Sequence, residues 1–249
     1  MDEDRQTEGA NAAELESEPL EFPLERGRNK RAAPPWHPYA YHIRALPRGL
    51  RALAPDLRVP SGGSVLDYGC ADVPYRTFFE ENVDFVAADL SGNPDATLDL
   101  LPDGRVPVDD GVFDAVLSTQ VLEHVASPSD YLAEAYRVLK PGGRMLLSTH
   151  GIFIYHPDPI DLWRWTGAGL EQSISAAGFQ VERVEGIIGL GATGLQLVQD
   201  SICHRVGSRR FSQLISIVFQ ALMRLADKFE TDESRRHNAC VFAVVAEKR

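Results

Sequence analysis

Ser64-Val65-Leu66-Asp67-Tyr68-Gly69-Cys70-Ala71-Asp72-Val73 is an apolar run that breaks into a tight turn. Asp84-Phe85-Val86-Ala87-Ala88-Asp89 is a second apolar run, closing on a carboxylate 22 residues after Asp67. In an open α/β sheet the first strand ends at a turn whose backbone packs against a ligand. The helix that follows points its N-terminus at the same place. A carboxylate ending the second strand can accept two hydrogen bonds from a vicinal diol. The pairing fits a ligand that carries a nucleoside. Gly69 is the one residue of the turn free to adopt any φ.

Outward from this pair the chain alternates strand and helix, which predicts an α/β fold with a mostly parallel sheet and helices on both faces. Strands are expected at 64–68, 84–89, 113–118, 143–149, 180–186 and 239–246, and helices at 75–82, 128–139 and 167–177. Lys140-Pro141-Gly142-Gly143 stops one helix and turns directly into the strand Arg144-Met145-Leu146-Leu147-Ser148.

Asp67-x-Gly69-x-Ala71-x-Val73 resembles motif I of the class I S-adenosylmethionine-dependent methyltransferases, with Ala71 and Val73 where that family usually has glycine. The Leu-Lys-Pro-Gly-Gly turn and the strand after it recur in the same family. The resemblance implies a Rossmann-like seven-stranded sheet with an antiparallel last strand, and S-adenosylmethionine as cofactor. It implies Asp67 and Gly69 beside the methionine moiety, Ala71 also binding the cofactor, Asp89 on the ribose, and Asp99 with Leu100 near the adenine. Gln120, just past a strand at the carboxyl edge of the sheet, is placed to touch the cofactor.

Composition fits one sizeable core with accessories: 249 residues, 44 % of them hydrophobic. Residues 1–25 hold nine acids against the single base Arg5, so most of the net charge of −11 sits in that arm. A near-neutral body gives no electrostatic reason to expect nucleic acid. Residues 1–33 read as a disordered acidic arm. Residues 34–60 read as a helical cap and 61–249 as the main domain, with a helical insertion at 189–236. The leucine periodicity of that insertion fits core packing, a homodimer interface or a membrane-surface patch. Cys70, Cys203 and Cys240 lack metal-ligand spacing, and no run of 18 apolar residues occurs. Both point to a reduced, cytoplasmic setting without a membrane span.

The richest polar and aromatic segment is His150-Gly151-Ile152-Phe153-Ile154-Tyr155-His156-Pro157-Asp158-Pro159-Ile160-Asp161-Leu162-Trp163-Arg164-Trp165-Thr166. Flat faces beside charged hydrogen-bonding groups suit a polyhydroxylated ring, which assigns Tyr155, Asp158, Asp161, Trp163 and Arg164 to acceptor binding. The alternative is that the tryptophans anchor the loop while Asp161 and Arg164 pair. A neutral histidine can take a hydroxyl proton, and the candidates are His150, fixed by the strand end, then His156 and His124. Glu123, Asp158 and Asp161 are hard oxygen ligands of the type magnesium takes. The Tyr/His-Pro-x-x-Asp-x-Trp-Arg-Trp-Thr pattern is similar to methyltransferases of polysaccharide assembly, including those that O-methylate mannose oligosaccharides in mycobacteria. That similarity implies a sugar or oligosaccharide acceptor. A small-metabolite N- or carboxyl-methyltransferase, a nicotinamide-dependent oxidoreductase and a non-catalytic binding protein on the same fold are the alternatives.

Overall fold

Strands covered on both faces read as nearly continuous apolar sequence, and that is the character of the runs here. In the computed structural model, which describes residues 33–157 and 160–249, they become β1 (Ser64–Tyr68), β2 (Asp84–Asp89), β3 (Leu98–Asp99), β4 (Phe113–Thr119), β5 (Leu139–His150), β6 (Phe179–Gly189) and β7 (Ala239–Lys248). One seven-stranded sheet holds them in the order β3-β2-β1-β4-β5-β7-β6. β1 lies parallel to β2 and β4, β2 to β3, and β4 to β5, whereas β7 runs antiparallel to both β5 and β6. The last strand therefore inserts between β5 and β6.

The helices are α1 (Ala40–Leu53), α2 (Pro128–Val138), α3 (Gly167–Ala176), α4 (Leu190–Cys203), α5 (Arg209–Lys228) and α6 (Asp232–His237). Side chains alternate across the strands. Leu66, Val116, Leu147 and Val244 pack with Leu132 of α2 and Ile174 of α3 on one face. Val65, Leu117, Leu146 and Val245 pack with Leu50 of α1 and Met223 of α5 on the other. Each fully covered leucine contributes roughly 1.5–3 kcal/mol, so these two layers fix the strand ends that carry the site. Ser127 caps α2, accepting from Asp130 N at 3.4 Å, and Thr166 caps α3, accepting from Gly169 N at 3.1 Å.

Three expectations change. The helix expected at 75–82 is a single 3-10 turn, Arg76–Phe78. The Arg76 guanidinium donates to the carbonyls of Phe79, Glu80, Glu81 and Val83, satisfying the acceptors that a continuing helix would have used. The two-residue β3, too short to show periodicity, pairs Leu98 with Ala88 and Asp99 with Asp89. The strand expected from 143 begins at Leu139, where Lys140 pairs with Asp114 at 2.9 Å. The acidic residues 1–25 and Asp158 lie outside the described residues. No helix among the described residues is long and apolar enough to cross a membrane.

Candidate active site

The carboxyl ends of β1, β2, β4 and β5 open onto a cleft of about 1230 Å³ lined by Gly69, Asp89, Gln120 and His150, among others. At the β1 turn Gly69 has φ +84°, and a Cβ there would stand 2.5 Å from Val121 Cγ2, so glycine is required by both backbone and space. Ala71 and Val73 also sit in the left-handed region, at φ 48° and 51°. That conformation costs a β-branched residue about 1–2 kcal/mol. Asp89 holds the turn in place: Oδ2 accepts from Ala71 N at 2.9 Å and Asn93 Nδ2 at 2.8 Å, and Oδ1 from Leu90 N at 2.8 Å. Cys70 Sγ adds a long contact to Oδ2 at 3.9 Å, so of the about four acceptor directions of a carboxylate the open one is on Oδ1. Asp67 is fully buried and neither carboxylate oxygen has a partner. Burial, with Asp89 adding, pushes its carboxyl up to about 8. Gln120 Oε1 is a second buried, unpartnered acceptor, on a residue with φ 57°. The cradle at Gly69 and these orphaned acceptors fit a ligand that brings its own donors, as an amino acid ammonium and a ribose do.

Across the cleft, β5 ends in Thr149 and His150. Thr149 Oγ1 donates to Glu123 Oε2 at 2.8 Å, and Glu123 Oε1 stands 3.0 Å from His150 Nδ1. Both atoms are buried and neither has an aligned hydrogen-bond partner, so the 3.0 Å approach is a close electrostatic contact. Burial drives the two in opposite directions, Glu123 up to about 7 and His150 down to about 2, so the imidazole is neutral at physiological pH. The His150 ring stacks on Phe153, with centroids 4.3 Å apart. His42 of α1 lies 6.3 Å from it and His156 5.7 Å. Burial, with His156 adding, holds His42 at about 4. His37, Tyr39, His42 and Ile43 line the cleft, so the segment before β1 forms part of its wall.

The methyltransferase domain family matches residues 39–182, more than half of the chain. The chain belongs to this family. A protein described as a probable S-adenosylmethionine-dependent methyltransferase from Mycolicibacterium smegmatis is 32 % identical over 89 residues, covering 33 % of this chain and 35 % of that protein. A ubiquinone biosynthesis O-methyltransferase from Dechloromonas aromatica is 34 % identical over 104 residues, 36 % of this chain and 45 % of the relative. The chain therefore spans less than half the length of these relatives. Among solved structures, the [4+2]-cyclase SpnF superposes with TM-score 0.53 at 20 % identity, over 83 % of this chain and 82 % of that one. YcgJ from Bacillus subtilis gives 0.52 at 16 % identity, over 81 % and 98 %. A cyclase among them shows that the fold hosts more than one chemistry, so activity has to be argued from the site.

In this member of the methyltransferase domain family the residues read from sequence divide. Gly69, Ala71, Asp89, Leu100, Gln120, His124, His150, Tyr155 and His156 line the cleft. Asp67 and Asp99 do not: Asp67 is fully buried, and edge strand β3 leaves Asp99 exposed, with Asp103 and Arg105 lining that end. Asp161 grips Arg164 through both oxygens, each at 2.5 Å, and accepts from His156 N at 2.7 Å. Arg164 also donates to the carbonyls of Phe153, Ile154 and Trp163. Trp163 Nε1 donates to Val125 O at 2.9 Å. None of these three lines the cleft; they clasp the loop shut. His124 Nδ1 donates to the Ile160 carbonyl, a loop anchor as well. The oxygen set considered for magnesium is not gathered: Glu123 serves Thr149 and His150, Asp161 serves Arg164, and Asp158 lies outside the described residues. Among the described residues no three His, Cys, Asp or Glu side chains are grouped to hold a metal ion. Sequence reasoning did not single out Asn93, His42, Phe153 and Thr149; His42 lies in the segment read as a cap, Phe153 in the loop read as rich and Thr149 beside His150, whereas Asn93 had no visible signal.

Proposed function

We propose that this protein transfers the methyl group of S-adenosylmethionine to a hydroxyl oxygen, with His150 as general base. The observation that carries the reading is the Thr149, Glu123, His150 chain at the end of β5, inside the cleft whose other wall is the Gly69 turn. The cofactor, when bound, supplies an electrophilic methyl on a sulfonium. Asp67 and Gln120 Oε1 would accept donors from its methionine part, the free acceptor direction of Asp89 would take the ribose, and Leu100 would pack on the adenine. Thr149 orients Glu123, and ionised Glu123 keeps the proton of His150 on Nδ1. Nε2 is then the basic nitrogen and takes the hydroxyl proton as the oxygen attacks. Stacking on Phe153 fixes the plane of the ring, and Glu123 stabilises the imidazolium as it forms.

For the acceptor, the aromatic and imidazole lining supports a ring bearing hydroxyls, with a sugar as the first reading. Tyr155, Phe153 and His156 supply the flat faces and polar edges that a sugar ring needs. A phenolic hydroxyl is the second reading, favoured by the withdrawal of Asp161 and Arg164 into their own pair. The magnesium reading would need Asp158 together with ligands from bound molecules. Transfer of isotopic methyl to mannosides, phenols and amines, each with magnesium or chelator, tests the set. Label on a hydroxyl acceptor supports the proposal. Label on amines alone overturns the O-methyl reading, and no binding of S-adenosylhomocysteine overturns the cofactor assignment.

A further inference from the structure

Helices α4 and α5 are inside out. On α5, Ser216, Gln220 and Met223 are buried, while Phe211, Leu214, Val218, Leu222, Leu225 and, at the C-cap just past the helix, Phe229 are exposed. Those six recur every three or four residues and form one stripe along the helix. On α4 the inward residues include Gln196, Gln199 and Asp200, and Leu197, Val198 and Ile202 face solvent. The glutamines are not misplaced: Gln196, Gln199 and Gln220 all donate to the Pro38 carbonyl, locking the hairpin onto the segment that enters α1. The polar side is thus used within the molecule and the apolar side is left bare. Nine large apolar side chains are each 36–78 % exposed, and apolar side chains gathered in one exposed stripe mark an interaction surface. The hairpin lies beyond residue 182, where the match to the methyltransferase family stops.

We infer that this hairpin is a docking surface for an anionic lipid bilayer. Charge decides the occupant. From Ser201 to Phe229 the chain carries Arg205, Arg209, Arg210, Arg224 and Lys228 against the single acid Asp227, and Asp227 is taken up by Arg235 and Tyr41. Arg209, Arg210, Arg224 and Lys228 make no ion pair among the described residues. At 100° per residue, Arg210, Arg224 and Lys228 fall along one flank of the stripe, where long side chains can reach headgroups while the leucines enter the acyl boundary. A second copy docked by a two-fold axis would set this cationic face against itself, which opposes the dimer that the apolar stripe alone would permit. The surface lies flat on a bilayer; it does not span one.

The test is flotation of the full chain with vesicles of phosphatidylcholine alone and of phosphatidylcholine containing one third phosphatidylglycerol, alongside sedimentation velocity without lipid. The expected result is at least about tenfold tighter binding to the anionic vesicles, falling with salt. Leu214→Gln/Leu225→Gln should abolish flotation without lowering the melting temperature, because both side chains are already in water. Arg209→Ser/Arg210→Ser should remove much of the salt-sensitive part. No flotation with either vesicle would overturn the inference. So would a lipid-free dimer that the Leu214→Gln/Leu225→Gln variant dissolves, because it would assign the face to a second copy. Neither readout depends on catalysis, so failure here leaves the proposed reaction untouched.

Discussion

The two walls of the cleft are built on opposite principles. Around Gly69 the protein leaves its groups unsatisfied: two bare oxygens on buried Asp67, a bare Oε1 on Gln120, and left-handed backbone at Ala71 and Val73. In the loop after β5 it satisfies them internally, with Asp161 on Arg164, His124 on a carbonyl and Trp163 on another. What stays open on that side is His150 with Glu123 behind it. The contrast teaches where specificity resides. A wall with vacant acceptors waits for one particular set of donors, whereas a wall that is self-satisfied offers shape, aromatic faces and one base.

The sharpest way to break this contrast is to remove the base. His150→Ala should lower kcat by about 100–10,000-fold while titration with S-adenosylhomocysteine shows unchanged affinity; retained turnover would end the assignment. Next come Asp67 of β1 and Asp89, which closes β2. Asp67→Asn should weaken cofactor binding by roughly 1.5–3 kcal/mol, the scale of a hydrogen bond to a charged group, and yet stabilise the free protein. Because the folded pKa of Asp67 is raised to about 8 from 3.8, the folded state binds more protons than the unfolded one across that interval. The contribution of Asp67 to stability is therefore lost as pH rises through it. The advantage of Asp67→Asn in thermal melts should widen over the same window. Asp89→Ala should do the reverse and lower stability, since the carboxylate holds Ala71, Leu90 and Asn93.

A smaller effect belongs to Glu123. Only its ionised form keeps the His150 proton on Nδ1, and burial sets that ionisation at about 7. Turnover should climb roughly tenfold between about pH 6 and pH 8, and Glu123→Gln should erase the inflection. An unchanged profile in that variant would detach Glu123 from the base. The smallest change is Val73→Gly. Releasing a β-branched residue from φ 51° should raise stability by up to about 1 kcal/mol, less the entropy glycine loses on folding, as a shift in urea midpoint.

The Gly69 wall was readable in the chain because it is local. Asp67, Gly69 and Ala71 follow one another at a strand end, Asp89 closes the next strand, and the sheet brings both ends to one edge. Even there the short β3 misled, since two residues carry no period and Asp99 turns out exposed. The wall formed by the loop after β5 was legible only as composition. The segment 150–166 is rich in the right residue types, but sequence does not say whether Asp161 and Arg164 will bind a ligand or each other; three residues apart in a folded loop, they meet.

Strand periodicity, the Pro-Gly-Gly stop and the carboxylates at strand ends determined the sheet and its cofactor edge, because each is a property of neighbours along the chain. Tertiary structure alone decided that Glu123 and Thr149 stand behind His150, that His42 of α1 faces them across 108 residues of sequence, and that the leucines of α5 point outward. The physical reason is that burial, hydrogen-bond satisfaction and pKa depend on what packs against a side chain, and for these residues the neighbours come from distant parts of the chain.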